Sequence, residues 1–391
     1  MKGGDDVGDF GRELKNFFRK GDMILLVMCL AISAFSCLVI ASVTNAEKFG
    51  GSTRYIIIQI GATGLGVLVY AIMSSIDLEF FSEHRLALTV INIGLLLLLV
   101  PFGRSVSGNK SWLDFSFLPF DIQPAEICKI FYILVAASVM ASHQNRLSSV
   151  RSVIHMAYHM ILIVGINILV SRDVGVSLIF VFIFIGMAFS GGVKLIWFLL
   201  SGSAVVAGFP ILWTKLDSFQ QKRILVLFDP SIDPYGTGVR YQAKLSLQSI
   251  TGGGMTGQGL FNGNRTQAGA LPAQHTDFIF SSIGEEMGYV GCALVLVMMF
   301  ALVARCIWVG AHSPDFMRKM VCYGAAAALI FQVCVNVGMC LGVMPVIGLT
   351  LPLVSYGGSS VVTIYAMLGL VSGVHARPSP RSHERYIQPP R

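Results

Sequence analysis

Apolar residues run in ten long stretches along the chain, near 23–44, 55–74, 86–102, 126–142, 152–171, 174–190, 193–213, 278–309, 317–343 and 357–376. As helices they cross roughly 30 Å of hydrocarbon, with 86–102 and 174–190 on the short side. None has the ten-residue alternation of an outer-membrane barrel strand. Lipid offers no water to an open backbone, so the helix is the only spanning element this pattern permits. The pattern predicts an all-α, polytopic membrane protein of about ten transmembrane helices. One polar interval, 214–275, is too long to be only a connector. In DSFQQKRILVLFDP it places Ile224, Leu225, Leu227 and Phe228 on one side of a short amphipathic helix that Pro230 ends. A second helix, RYQAKLSLQSI, stops at TGGGMTGQG. Glycines there either bring backbone amides close to a phosphate or form a mobile hinge or lid, and residue chemistry leaves both open.

Composition agrees with the pattern. Of 391 residues, 54% are hydrophobic and 13% charged, where soluble domains carry about a quarter charged. The first span is flanked by Lys15, Arg19 and Lys20 and lacks a small-residue cleavage site before Asn45, so it reads as an anchor and not a signal peptide. An even number of spans puts both termini on one side. The tails and alternate loops hold 16 of the 28 basic residues, which predicts cytoplasmic tails at 1–22 and 377–391 around a membrane domain at 23–376. The 214–275 loop is then extracytoplasmic. The net charge of +7 suits anionic inner-leaflet lipid, and no basic run interleaved with aromatics suggests nucleic acid. All eight cysteines fall in or beside apolar spans without a CxxC pair, so they read as small core residues. HExxH, P-loop and GxSxG motifs are absent, which weakens metalloprotease, ATPase and serine-hydrolase readings.

The remaining polar features gather at the outer ends of the spans. LPAQHTDFIFSSIGEEMGYVG (271–291) carries His275, Asp277, Glu285 and Glu286. Asp277 has a bland explanation as a helix N-cap, and a sharper one as a general base whose partial burial raises its pKa. Glu285 and Glu286 fall about 12 Å deeper, where at least one should face the bundle interior and meet a base such as Lys129. In QPAEICK, Pro124 suits a helix start, and Glu126 and Lys129 share a face as an intrahelical pair. Asp173 caps the following span or faces the site, Trp112 anchors at the interface or stacks on a sugar, and Ser355 lies in the small-residue turn SYGGSS.

Together GNKSWL, QPAEICK, RDVGVS, RILVLFDP with YQAKLS, GGGMTGQG, LPAQHTDFIFSSIGEEMGYVG and NVGMCLGVMPVIGLTLPLVSYGGSS resemble the SEDS family (shape, elongation, division and sporulation), typified by RodA and FtsW. The resemblance runs from about residue 23 to 376. It implies a peptidoglycan glycosyltransferase that polymerises lipid II at the outer face of the bacterial cytoplasmic membrane, releasing undecaprenyl pyrophosphate. It assigns the catalytic acid to Asp277 and cavity positions to Trp112, Gln123, Glu126, Lys129, Asp173, His275 and Glu286. Lys129 with Arg104 or Lys110 is expected to offset the pyrophosphate charge. A divalent cation would assist there, although no ligand cluster demands one. The chain departs from the family pattern at Ser111, Ala125, Arg172, Val174, Val176, Leu245 and Ala273, which touches secondary substrate contacts more than the reaction. Pro345 to Gly348 look nearer to RodA and to elongation than to division. The implied partner is a class B penicillin-binding protein of the elongation or division complex; the small-residue stretch Gly324 to Ala328 either docks its single helix or packs inside the bundle, and the pattern leaves both open. The rival readings are a lipid-linked precursor flippase, which needs polar groups from both faces to the midplane, and a scaffold without chemistry.

Overall fold

The computed structural model describes residues 21–50, 53–106, 109–115, 120–214, 216 and 218–377. The two expected tails lie outside these residues except for Gly21, Asp22 and Arg377. Among the described residues eight helices are long and apolar enough to cross a membrane. They are α1 (Met23–Thr44), α2 (Arg54–Ser75), the pair α4 and α5 (Arg85–Leu97, Leu99–Phe102), α6 (Pro124–Ser142), α7 (Val150–Ser171), α13 (Ile279–His312), α14 (Phe316–Cys340) and α15 (Gly358–Ala376). Two shorter apolar helices complete the expected set, α8 (Val174–Ser190) and α9 (Leu195–Trp213). The helix α3 (Leu78–Glu83) and a hairpin of β1 (Gly103–Val106) and β2 (Asn109–Leu113) are small additions.

Lipid gives apolar helices no hydrophobic reason to associate, so small residues mark where backbones meet. A methyl group on Gly66 of α2 would stand 2.7 Å from the Tyr365 ring of α15, and one on Gly369 would stand 2.6 Å from the Tyr70 carbonyl. The stretch Gly324 to Ala328 of α14 is used in the same way. Gly324 lies against Ile133 of α6 and Met187 of α8, Ala327 faces Gly186, and Ala325, Ala326 and Ala328 are buried. This decides between the two readings of the stretch: the small residues are consumed by packing inside the bundle.

Among the described residues, three ion pairs lie at the end of the bundle remote from the long loop. Asp22 caps α1 and meets Arg305 at 2.8 Å, while Arg318 meets Asp77 at 3.3 Å and Glu79. At the other end lie the loop, the hairpin and the 345–357 segment. The loop carries α10 (Ser218–Leu225), α11 (Tyr241–Gly253) and the one-turn α12 (Asn264–Gln267). The first is shorter than its apolar pattern suggested. A turn closes it when the Asp229 amide donates to the Leu225 carbonyl (2.9 Å), and the Asp229 carboxylate then takes the Ser231 amide (2.9 Å).

The glycine-rich run does not hang free. Gly288 of α13 has φ 67° and ψ −163°, a conformation closed to residues with a Cβ, and the helix breaks there. The break turns backbone groups out of the helical ladder, and in a membrane they must find partners. Residues 254–259 supply them: Gln258 and Gly259 amides donate to the Glu285 and Glu286 carbonyls (3.0 and 2.9 Å), and Tyr289 and Val290 amides donate to Gly254 and Met255 carbonyls (2.9 and 3.2 Å). Loop and broken helix form one unit.

Candidate active site where the long loop meets the bundle

Asp277 ends the loop, and it caps nothing. The helix α13 starts at Ile279 with Phe278 in the cap position and no side-chain cap. What holds Asp277 is a clasp on the backbone around it. Three successive carbonyls accept from the far C-terminal part of the chain: His275 from the Tyr356 amide (2.9 Å), Thr276 from the Ser355 hydroxyl (2.6 Å), and Asp277 from the Asn336 side-chain amide (2.8 Å). The same Asn336 nitrogen donates to the Leu349 carbonyl at 2.7 Å, and Ser355 also accepts from the Leu351 amide at 2.8 Å. The backbone is fixed while the carboxylate stays half-buried and makes no ion pair among the described residues. Burial pushes its pKa up to about 6, against the Thr276 hydroxyl and with help from the negative charge of Asp173.

Asp173 lies on the next turn of chain across the site. One oxygen caps α8 through the Val176 amide (3.1 Å), and the other accepts from the Ser111 hydroxyl of β2 (3.1 Å). Asn167 steadies this turn, donating to the Asp173 carbonyl (3.3 Å) and to Ser177 (2.8 Å). Burial raises the Asp173 pKa, the Val176 and Ser111 hydrogen bonds oppose the rise, and Glu126 adds to it. A strap, residues 345–348, runs between the two aspartates. A Cβ on Gly175 would stand 2.8 Å from the Ile347 carbonyl, and one on Gly348 (φ 73°) would stand 3.5 Å from Asp277 Oδ2. Both glycines let the strap approach.

The other expected residues divide into two groups. Near the aspartates, Gln123 donates its backbone amide to the Ser359 hydroxyl (3.3 Å), and Glu126 and Lys129 form their intrahelical pair at 2.8 Å, with Thr363 on Glu126 (3.3 Å) and Gln332 on Lys129 (3.4 Å). His275 sits in an aromatic box with ring centroids 5.1 Å from Phe49, 5.4 Å from Tyr55 and 5.6 Å from Tyr356. Burial, then Lys48, pushes its pKa down to about 4, so it is neutral at physiological pH. The second group is occupied elsewhere. Arg104 meets Asp114 (3.3 Å) and Asp121 (3.8 Å), Lys110 donates to the Val100 carbonyl (2.7 Å), and half-buried Trp112 pairs across the hairpin with Arg104. Glu286 accepts from Ser42 (2.5 Å) and Gln267 (2.7 Å), and Glu285 accepts the Arg265 and Thr266 amides (2.9 Å each) and the Thr266 hydroxyl (2.7 Å). Neither glutamate meets Lys129; both staple the loop. Among the described residues no three His, Cys, Asp or Glu side chains converge as a metal site.

One carboxylate is thus placed to take a proton and a second is committed to fixing the turn opposite. The sequence profile described as Cell cycle protein, of the FtsW, RodA and SpoVE type, matches residues 21–379. The chain belongs to this family. It is 33% identical over 360 residues to the peptidoglycan glycosyltransferase MrdB of Escherichia coli K12, covering 90% of this chain and 93% of MrdB. It is 34% identical over 370 residues to the probable peptidoglycan glycosyltransferase FtsW of Tolumonas auensis, covering 91% of each. Among solved structures, a chain from a peptidoglycan synthase complex coordinating polymerization and crosslinking superposes with a TM-score of 0.76 at 30% identity, covering 91% of this chain and 97% of that one. The rod shape determining protein RodA of Thermus thermophilus gives 0.66 at 27% identity, covering 91% and 96%.

Within the family fold, the residues that sequence reasoning passed over are amides in apolar spans. Asn336, Asn167 and Gln59 are buried, and each holds one site segment; Gln59 donates to the Ser355 carbonyl at 3.4 Å and accepts from the Gly357 amide at 3.4 Å. A lone amide in a membrane helix is costly unless it has such work, and that was the available signal.

Proposed function

We propose that this chain polymerises lipid II into glycan strands at the outer face of the cytoplasmic membrane, with Asp277 as the general base. The observation that carries the reading is the clasped backbone and the half-buried carboxylate of Asp277, which makes no ion pair among the described residues. The Asp277 carboxylate takes the proton of the acceptor sugar's 4-hydroxyl as that oxygen bonds to the donor's anomeric carbon. The anomeric bond to undecaprenyl diphosphate breaks with inversion, and a β-linked glycan results. Residues 23–376 act as one membrane domain with both tails cytoplasmic. The solved relative in a complex for polymerization and crosslinking supports a transpeptidase partner, a class B penicillin-binding protein, because this chain has no soluble domain among its described residues to crosslink the product. Asp277→Asn, purified with that partner and given lipid II in detergent, is expected to lose at least about a hundredfold in polymerisation rate, the lower end of what a general base supplies. Polymerisation near the wild-type rate would refute the assignment.

A further inference from the structure

The reaction releases a diphosphate, and two of the cations that the sequence offered for it are already paired with carboxylates: Arg104 with two aspartates and Lys129 with Glu126. Another basic site exists. A cavity of about 360 Å³ opens between α10, α11 and the end of α14, lined by Arg223, Arg240 and Lys244 and, among the described residues, by no acidic one. Its other walls are apolar, among them Leu247, Leu341 and Met344. The Arg240 guanidinium makes no ion pair among the described residues. Lys244 donates to the Tyr235 carbonyl at 2.8 Å and retains two further N–H donors. Asp233, seven residues before Arg240, spends its carboxylate on the Thr237, Gly238 and Arg240 amides (3.1, 2.9 and 3.0 Å), which fixes the entry to α11 and leaves the Arg240 guanidinium out of its reach.

Two features say what such a cavity takes. Its rim is apolar and exposed, with Leu247 and Leu341 about 40% accessible, so the ligand is anionic at one end and oily at the other. It is also coupled to the site. Arg223 donates to the Val346 carbonyl at 3.1 Å, and Val346, with Pro345, lines the cavity from the strap that places Gly348 against Asp277. Two residues of chain span at most about 7.6 Å. We infer that this cavity seats the diphosphate of a lipid-linked substrate, its phosphates between Arg223, Arg240 and Lys244 and its polyprenyl chain leaving over Leu247 and Leu341. The inference rests on the proposed polymerase reading and locates its anion subsite on the long loop.

The test uses the full chain with its transpeptidase partner in detergent, comparing wild type with Arg240→Glu, Lys244→Glu and the conservative Arg240→Lys, each checked for folding by copurification with the partner. Both charge reversals are expected to raise KM for lipid II about tenfold or more with kcat within about threefold, the loss of one charge-assisted contact, while Arg240→Lys stays near wild type. Farnesyl diphosphate should bind wild type and not Arg240→Glu, and farnesol should bind neither. Unchanged KM in both reversals, or phosphatidylglycerol displacing farnesyl diphosphate at equal concentration, would overturn the inference. Should Arg240→Glu fail to copurify, Arg240→Gln carries the same binding comparison. If wild type binds farnesyl diphosphate through Arg240 but makes no glycan, the polymerase reading fails and the site stands.

Discussion

Asn336 decides where Asp277 points. Its amide nitrogen joins two segments 72 residues apart in sequence, the Asp277 and Leu349 carbonyls, at 2.8 and 2.7 Å. Asn336→Leu keeps the volume and removes both hydrogen bonds, leaving two buried carbonyls unpaired at about 1–3 kcal/mol each. A positioning role predicts more than lost stability: kcat for lipid II should fall about tenfold or more with KM little changed, whereas a merely structural residue would lower the yield of folded protein and leave kcat alone. The base itself has a pH signature. With its pKa at about 6, Asp277 is protonated and inactive below that value and ionised above it, so kcat/KM should rise with pH and level off above about 6. The stability sign is opposite. The native state holds this proton more tightly than an unfolded chain, so Asp277 costs stability increasingly as pH rises from about 4 to 6, and the full cost remains at neutral pH. Asp277→Asn should therefore melt higher than wild type at pH 7.5 and lose that advantage near pH 4. A rate profile flat from pH 5 to 8 would exclude Asp277 as the titrating base.

At the scale of elements, the broken helix α13 and the glycine-rich loop stand or fall together. Gly288 needs its positive φ, and Gly257 (φ 83°) lies against the Glu286 backbone, so a Cβ at either position meets strain and contact at once. Gly288→Ala should straighten α13, strip the 254–259 segment of its four backbone bonds and expose 253–267 to proteolysis, with insertion of the span intact. Glu285→Gln should act in the same direction but more weakly, since the amide oxygen can keep the two Thr266 donors that share one carboxylate oxygen and lose only the Arg265 amide. Equal protease resistance in both variants would show that the loop is held by something else. This unit was only partly legible in the sequence. Apolar length located the spans, because crossing hydrocarbon fixes both length and composition, and Pro124 and Asp173 marked helix starts by ordinary capping chemistry. The break was not legible, because Gly288 in EEMGYVG reads as one more small residue in a helix and only the facing loop gives its conformation a purpose. For the same reason Glu285 and Glu286 looked like partners for a base: at that depth the sequence shows the charge and hides the backbone amides that satisfy it.

The whole molecule has two chemically distinct ends, and this polarity gives the last prediction. The helix α6 runs from Gln123 beside the site to Ser142, and α7 returns from Ser149 to Asp173, so the turn between them lies at the end remote from Asp277. That remote end also carries Asp22 with Arg305 and Arg318 with Asp77 and Glu79, and the basic residues Arg85, Arg146, Arg151 and Lys194. Basic connectors mark the cytoplasmic side, while a long loop crosses regardless of its charge. The same polarity puts the basic cavity and Asp277 together at the opposite end, so the proposed function requires that end to face outward. In a cysteine-free background, cysteines replacing exposed Gln144 and exposed Ser231 report on the two ends. An impermeant maleimide applied to intact cells should label Ser231→Cys alone, and both sites should react once the membrane is opened. Labelling of Gln144→Cys in intact cells would invert the molecule, and with it the face on which the glycan is made.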